Sequence, residues 1–189
     1  DDFIVSPRAW HISTRPEDYL TYEVASTSGT SRAQGVLGMS ASEPLVTGVH
    51  RALAAGRWIN PGETHTCLLP QEMAGILGIG QADLGTASVR LLGDRFTVVG
   101  IFRQNPSEGQ TKASSLSDIL DLNNDPLLPA NFKFNRPGPR AREETVESVD
   151  VVLEETAYLP ASSVVIVPFQ TALAHGATVR SVAAVPRGS

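Results

Sequence analysis

One cysteine, Cys67, stands in a chain of 189 residues, which excludes an intramolecular disulfide and any zinc site built on paired cysteines. A basic run is missing too. The 15 Lys and Arg scatter among 20 Asp and Glu, for a formal charge of -5, so nothing in the sequence can track a phosphate backbone and nucleic-acid binding is set aside. The longest apolar stretches, residues 163–169 and 96–102, fall far short of the roughly 18 residues that span a bilayer. A starting Met, a charged n-region and an apolar h-region are also missing before Asp1-Asp2. That reads as a processed or excised piece whose targeting or anchoring segment lies elsewhere. No period of about 20 to 50 residues repeats.

What is present suits a folded domain. Hydrophobic residues make up 41% of the chain and charged ones 19%, enough to bury one or two small cores without a metal or a disulfide. The 16 glycines and 13 prolines interrupt short apolar segments often, a rhythm of strands and short helices in place of a long-helix bundle. Residues 185–189 match most of a protease site used to remove purification tags, with Ala184 in place of the usual Leu before them, and read as native or as a tag remnant.

Along the chain, Ile4-Val5, Tyr22-Glu23-Val24 and Gly35-Val36-Leu37-Gly38-Met39 read as strands. Leu45, Val46, Val49 and Leu53 recur at helical spacing, predicting a helix over 44–54 with Ser42 as cap, Pro44 in the first turn and Gly56 past its end. Thr66 to Leu69 is a strand ending at Pro70. Met73, Ile76 and Leu77 mark a short amphipathic helix with Pro70 near its first position and Gly78 after it. Strands 88–92 and 95–102 follow, joined by a tight turn at Gly93-Asp94. Phe96 and Val98 are expected on one face of the second strand, Val99 and Ile101 on the other. Residues 104–145 are turn-rich, with a short helix at Leu116, Ile119 and Leu120 opened by a Ser115/Asp118 capping box. They read as a surface excursion pinned at a few points and carrying what is specific to this protein. The segment 146–153 reads as a strand, Val164 to Val167 as a buried strand, Pro168 to His175 as a helix and Val179 to Val185 as a last strand.

Several residue sets invite a chemical reading. Glu63, His65 and Cys67 alternate and would share one face of an extended strand, offering O, N and S ligands to a zinc ion. The competing reading is a loop Glu and His before a buried structural Cys, since Leu68 and Leu69 continue into the core. Cys67 as a nucleophile would need a base, yet His11, His50, His65 and His175 fall in no motif. Gly38-Met39-Ser40-Ala41-Ser42 lacks the closing glycine of a serine elbow. Glu143, Glu144, Glu147, Asp150, Glu154 and Glu155 form an acidic run that reads as a solvated face, without a calcium-loop pattern. Gly78-Ile79-Gly80 follows a helix and serves as a cap, with no phosphate cradle implied. Trp10, Phe132 and Phe134 either pin loops onto the core or await a partner protein. No catalytic, cofactor-binding or metal-ligating residue is assigned.

As an ordered set, Gly56-Arg57-Trp58, the strand at Cys67 to Leu69, Ala74 with Leu77-Gly78, Gly85 with Val89-Arg90-Leu91, Phe96-Thr97-Val98-Val99-Gly100-Ile101 and Val165-Ile166-Val167-Pro168-Phe169 resembles the extracytoplasmic core domain of MacB/FtsX-type ABC transporter permeases. The resemblance covers residues 35–102 and 158–185. It implies an α+β, two-lobed extracytoplasmic domain: a mixed β-sheet lobe with short helices over 56–159, its irregular excursion at 104–145, and a porter-like β-α-β lobe from the chain ends, 1–55 and 160–185. It also implies a non-enzymatic role without cofactors. The expected partners are the parent's membrane helices, an ATP-binding domain or subunit, a periplasmic protein or substrate, and a second copy of a dimeric parent at the outer face of the bacterial inner membrane. The alternatives are a secreted or periplasmic hydrolase using Cys67 or a serine, and a ligand-binding β-rich module.

Overall fold

The computed structural model describes residues 2–12, 21–103, 115–134 and 155–188. Its strands are β1 (Phe3–Ile12), β2 (Tyr22–Ala25), β3 (Thr30–Ala33), β4 (Gly35–Met39), β5 (Leu53–Gly56), β6 (Thr66–Pro70), β7 (Ser88–Leu91), β8 (Asp94–Phe102), β9 (Ala130–Phe134), β10 (Glu155–Tyr158), β11 (Val164–Pro168) and β12 (Thr178–Pro186). The α-helices are α1 (Glu43–Thr47), α2 (Gln71–Ile76) and α3 (Phe169–Ala174). The fold is α+β. One open, mixed sheet runs β12-β1-β4-β11-β6-β8-β7-β2-β3, with β5 paired to β8 off that path, and β9 and β10 form a separate hairpin.

Two groups of strands make up this sheet. The chain ends supply β12, β1, β4 and β11, in which β1 is antiparallel to both β12 and β4, and β11 is parallel to β4. The middle supplies β6, β8, β7 and β5. Between the groups, backbone pairing narrows to Ile166↔Leu68 on β11 and β6. A second narrow join, Ala25↔Arg90, hangs the β2–β3 hairpin on β7.

Alternation along the strands splits the core into two clusters, one on each face. Val36, Cys67, Leu69, Phe96, Val98 and Val165 lie under α2 and α3 with Met73, Leu77 and Ala172. Leu37, Met39, Leu68, Val99, Phe102 and Ile166 lie on the other face, covered by Val49, Trp58, Leu116, Ile119, Leu127 and Leu128. At 25 cal/mol per Å², each fully buried Leu, Ile or Phe contributes about 1.5–3 kcal/mol of transfer free energy.

Local details correct four expectations. The predicted helix over 44–54 stops at Thr47, because Gly48 takes a left-handed conformation (φ 70°) and its N–H closes on the Pro44 carbonyl. A 3-10 turn, Val49–Ala52, and β5 follow, so Leu45 is 68% exposed and no longer shares a stripe with buried Val49. Ser42 makes no side-chain cap; its hydroxyl donates to the Val5 carbonyl at 2.7 Å instead. The β7–β8 turn sits one residue earlier than expected, at Leu92-Gly93, whose positive φ values of 54° and 88° are those of a type I′ turn. On β8, Ile101 joins Phe96 and Val98, while Val99 and Phe102 take the other face. The cause is a register shift against β6 between Cys67↔Val98 and Leu68↔Gly100, which inserts one residue and flips the alternation.

Several other elements stand where the sequence puts them, whereas β3, β5, β9 and β10 were not among the expected strands and the short helix expected around Leu116 is a 3-10 turn. Pro70 closes β6 and caps α2, though Ile76 is exposed and Ala74 buried in its place. The Ser115/Asp118 capping box opens a 3-10 turn, Leu116–Asp118, with the Ser115 N–H and hydroxyl both donating to Asp118 at 2.8 Å. The strand expected at 146–153 lies outside the described residues.

Candidate functional site

The strand pair that carries the ends of the fold also builds the most polar interior of the molecule. On β1, Ser6 and Arg8 point to the same face two residues apart, and both are buried beneath α1. The first residue of α1, Glu43, is fully buried there as well. Arg8 donates to its carboxylate from Nε at 3.1 Å to each oxygen and from a terminal nitrogen at 2.9 Å. Ser6 and Thr47 hydroxyls also donate to Glu43, the latter at 3.0 Å. A carboxylate supplied with this many donors satisfies the rule that a buried charge is paired and hydrogen-bonded.

Beyond this pair the guanidinium of Arg8 reaches the floor of an open cleft of about 360 Å³. One wall is the β1–β12 ribbon; the other is the loop around residues 121–127, with Tyr158 at its margin. Asp121 stands 3.6 Å from the Arg8 terminal nitrogen, and Ser181 of β12 accepts from the same nitrogen at 3.4 Å. The Asp121 carboxylate also accepts the N–H groups of Asn123 and Asp125 at 2.7 and 3.0 Å, which fixes the loop. At the rim the Arg180 guanidinium lies over the Trp10 ring, 5.5 Å from its centroid, a cation–π contact. The cleft therefore pairs fixed charges of both signs with aromatic surface. Among the described residues no histidine or cysteine lines it.

Of the residues singled out from sequence, Trp10 lines the cleft, and Glu63, His65 and Cys67 lie elsewhere. β6 begins only at Thr66, so Glu63 and His65 lie in the turn before it while Cys67 is fully buried in the strand. Burial raises the Cys67 thiol pKa far above its ordinary value. Glu63 is engaged by Arg57 at 2.6 and 3.0 Å, and by the Asn60 N–H at 2.9 Å. The Arg57 hydrogen bond holds the Glu63 carboxyl below its usual range, against a smaller opposing effect of burial. Among the described residues no group of three or more His, Cys, Asp and Glu side chains is arranged to hold a metal ion.

His50 is exposed, and His65 bonds through Nδ1 to the Thr64 hydroxyl at 2.9 Å. Ser40 is occupied by Ser6 and Ser42 hydroxyls at 2.7 and 2.8 Å. Gly78 follows α2 with φ 67°, and the Ile79 N–H closes back on Ala74, which is a helix end. Residues 143–154 of the acidic run lie outside the described residues; Glu155 opens β10. Trp10 is half-buried under Arg180, and Phe132 and Phe134 belong to β9. The cleft went unnoticed because its parts are 173 residues apart at Arg8 and Ser181. The one readable signal was Ser6-x-Arg8, two polar residues on the face that Trp10 and Ile12 also occupy.

No family model and no curated protein matches the chain. Among solved structures it is similar to the periplasmic region of MacB from Actinobacillus actinomycetemcomitans, at 10% identity and a TM-score of 0.47, covering 96% of this chain and 56% of that one. It is similar as well to the extracellular domain of the noncanonic ABC-type transporter YknZ from Gram-positive bacteria, at 13% identity and a TM-score of 0.48, covering 98% of this chain and 65% of that one. The chain thus spans between about half and two thirds of the length of these domains.

Proposed function

We propose that this chain is a non-enzymatic extracytoplasmic domain of an ABC transporter permease, engaging a substrate or a partner protein at the Arg8–Trp10–Asp121 cleft and moving with the parent's membrane helices. The observation that carries this reading is the union of the two ends of the fold. Val5 pairs with Ala184 and Ser6 with Ala183 in the β1–β12 ribbon, so the two ends of the fold run side by side. A domain hung between two membrane helices needs its ends side by side, and a displacement of either helix then acts first on β1 and β12, whose buried Arg8 leads to α1 and to the cleft.

In this reading the porter-like lobe is 1–55 with 160–185, and the β-rich lobe is 56–159. The β2–β3 hairpin sides with the latter through its pairing to β7. ATP hydrolysis belongs to a separate cytoplasmic domain or subunit of a dimeric parent. The phrases from Gly56-Arg57-Trp58 to Val167-Pro168-Phe169 support the assignment through the family resemblance.

The parent reading frame tests it. Spans of about 20 apolar residues should flank the domain on both sides. A cleavable signal peptide ahead of it with no span behind would favour a secreted hydrolase or a ligand-binding module.

A further inference from the structure

At the opposite side of the sheet from the cleft's covering loop, under α3, His65 and His175 flank Phe96, and His11 stacks on Tyr22. The His175 ring lies 6.4 Å from the Phe96 ring and the His65 ring 6.1 Å from it. His175, at the end of α3, also places Nε2 3.1 Å from the Asp94 carboxylate at the start of β8. His11, next to last in β1, stacks against Tyr22 of β2 with ring centroids 4.9 Å apart. Its Nδ1 is buried with no hydrogen-bond partner among the described residues. These contacts join the end-derived strands and α3 to β2 and β8, across the line where β11 and β6 share one bridge.

We propose that this corner is an acid-sensitive latch between the two groups of strands, closed while His11 is neutral and opened locally when its buried, unpartnered ring takes up a proton. The groups facing His11 are Tyr22 from β2 and His175 from α3; its neighbour across β4 is apolar Val36. The group facing His175 from β8 is Asp94. A proton on His11 meets a phenol ring, a desolvated setting and the positive field of His175, so burial first and His175 second lower its pKa.

The sign follows from linkage. The closed corner disfavours charged His11 and an opened corner restores its ordinary pKa near 6.5, so the open form binds more protons as pH falls. Closure is fully stabilised above about pH 6.5 and weakens below it, by up to about tenfold in the opening constant per pH unit until His11 is protonated in the closed form as well. The inference is independent of the transporter reading.

Amide hydrogen exchange on the 189-residue chain between pH 7.5 and 5, corrected for intrinsic exchange, reads it directly. Opening should rise several-fold or more at residues 9–12, 22–24 and 171–177, and stay flat in β11 and the 49–52 turn. His11→Phe, which keeps a ring against Tyr22, should abolish the rise, and His175→Gln should reduce it. A flat corner in the unmodified chain, a uniform rise across all elements, or an unchanged rise in His11→Phe overturns the latch. Should His11→Phe fail to fold, the NMR titration of His11 in the unmodified chain decides: a midpoint below about 6.5 supports the proposal and one at or above it refutes it.

Discussion

Arg8 and Glu43 form an ion pair inside the protein, with 4% and 0% of their surfaces exposed and a closest approach of 2.9 Å. They tie the ribbon that carries the chain ends to α1. Such a pair gives little net stability over apolar residues of the same shape, yet removing one partner leaves a buried charge alone. Arg8→Met, which leaves fully buried Glu43 without its countercharge, should therefore destabilise the domain by about 3–5 kcal/mol in urea melts, whereas Arg8→Met combined with Glu43→Leu should come within about 1–2 kcal/mol of the native chain. Equal, small losses for the single and double variants would mean that the pair is solvated.

The turn-rich middle of the chain is expected to split into two kinds of position. Leu116 is fully buried against the second core cluster, while Leu120 four residues later is 44% exposed. Leu116→Ala should cost about 2–5 kcal/mol and Leu120→Ala about 0.5 kcal/mol or less, measured by the same melts. This narrows the excursion expected over 104–145: residues 115–128 include Leu116, Ile119, Leu127 and Leu128 of the core, so any loop replacement that spares the fold has to leave them in place.

Phe96 has no exposed surface and sits between the sheet and the histidine corner. Phe96→Ala should cost about 3–5 kcal/mol and raise exchange throughout β7 and β8. A loss below about 0.5 kcal/mol would show that β8 is not central.

Cys67 should resist modification. Its thiol is buried and its pKa strongly raised, so little thiolate is available. Labelling by a maleimide at pH 7 should proceed only at the rate at which the domain opens, and quickly in denaturant. Fast stoichiometric labelling of the native chain would contradict the buried placement.

Period-two alternation and proline and glycine punctuation made most strands, α2 and α3 legible, and the Ser115/Asp118 box marked the turn at 116, because each depends on neighbours in sequence; β3, β5, β9 and β10 lie outside the expected strands. The helix at 43–47 was overextended since Leu45 and Val49 keep helical spacing although Gly48 breaks the backbone between them. The face swap at Ile101 was invisible because it depends on the register of β6 against β8, a long-range pairing. The same holds for the cleft and the histidine corner. Arg8 with Ser181, and Phe96 with His175, meet only through strand order, and strand order is written in no local pattern.

The account rests most heavily on the domain lying outside the cytoplasm. Ala184, exposed on β12, replaced by cysteine in the parent protein, gives a handle that buried Cys67 does not compete with. A membrane-impermeant maleimide applied to intact spheroplasts should label Ala184→Cys fully, in a band that stays with the membrane after an alkaline wash. Labelling only after lysis would contradict the account.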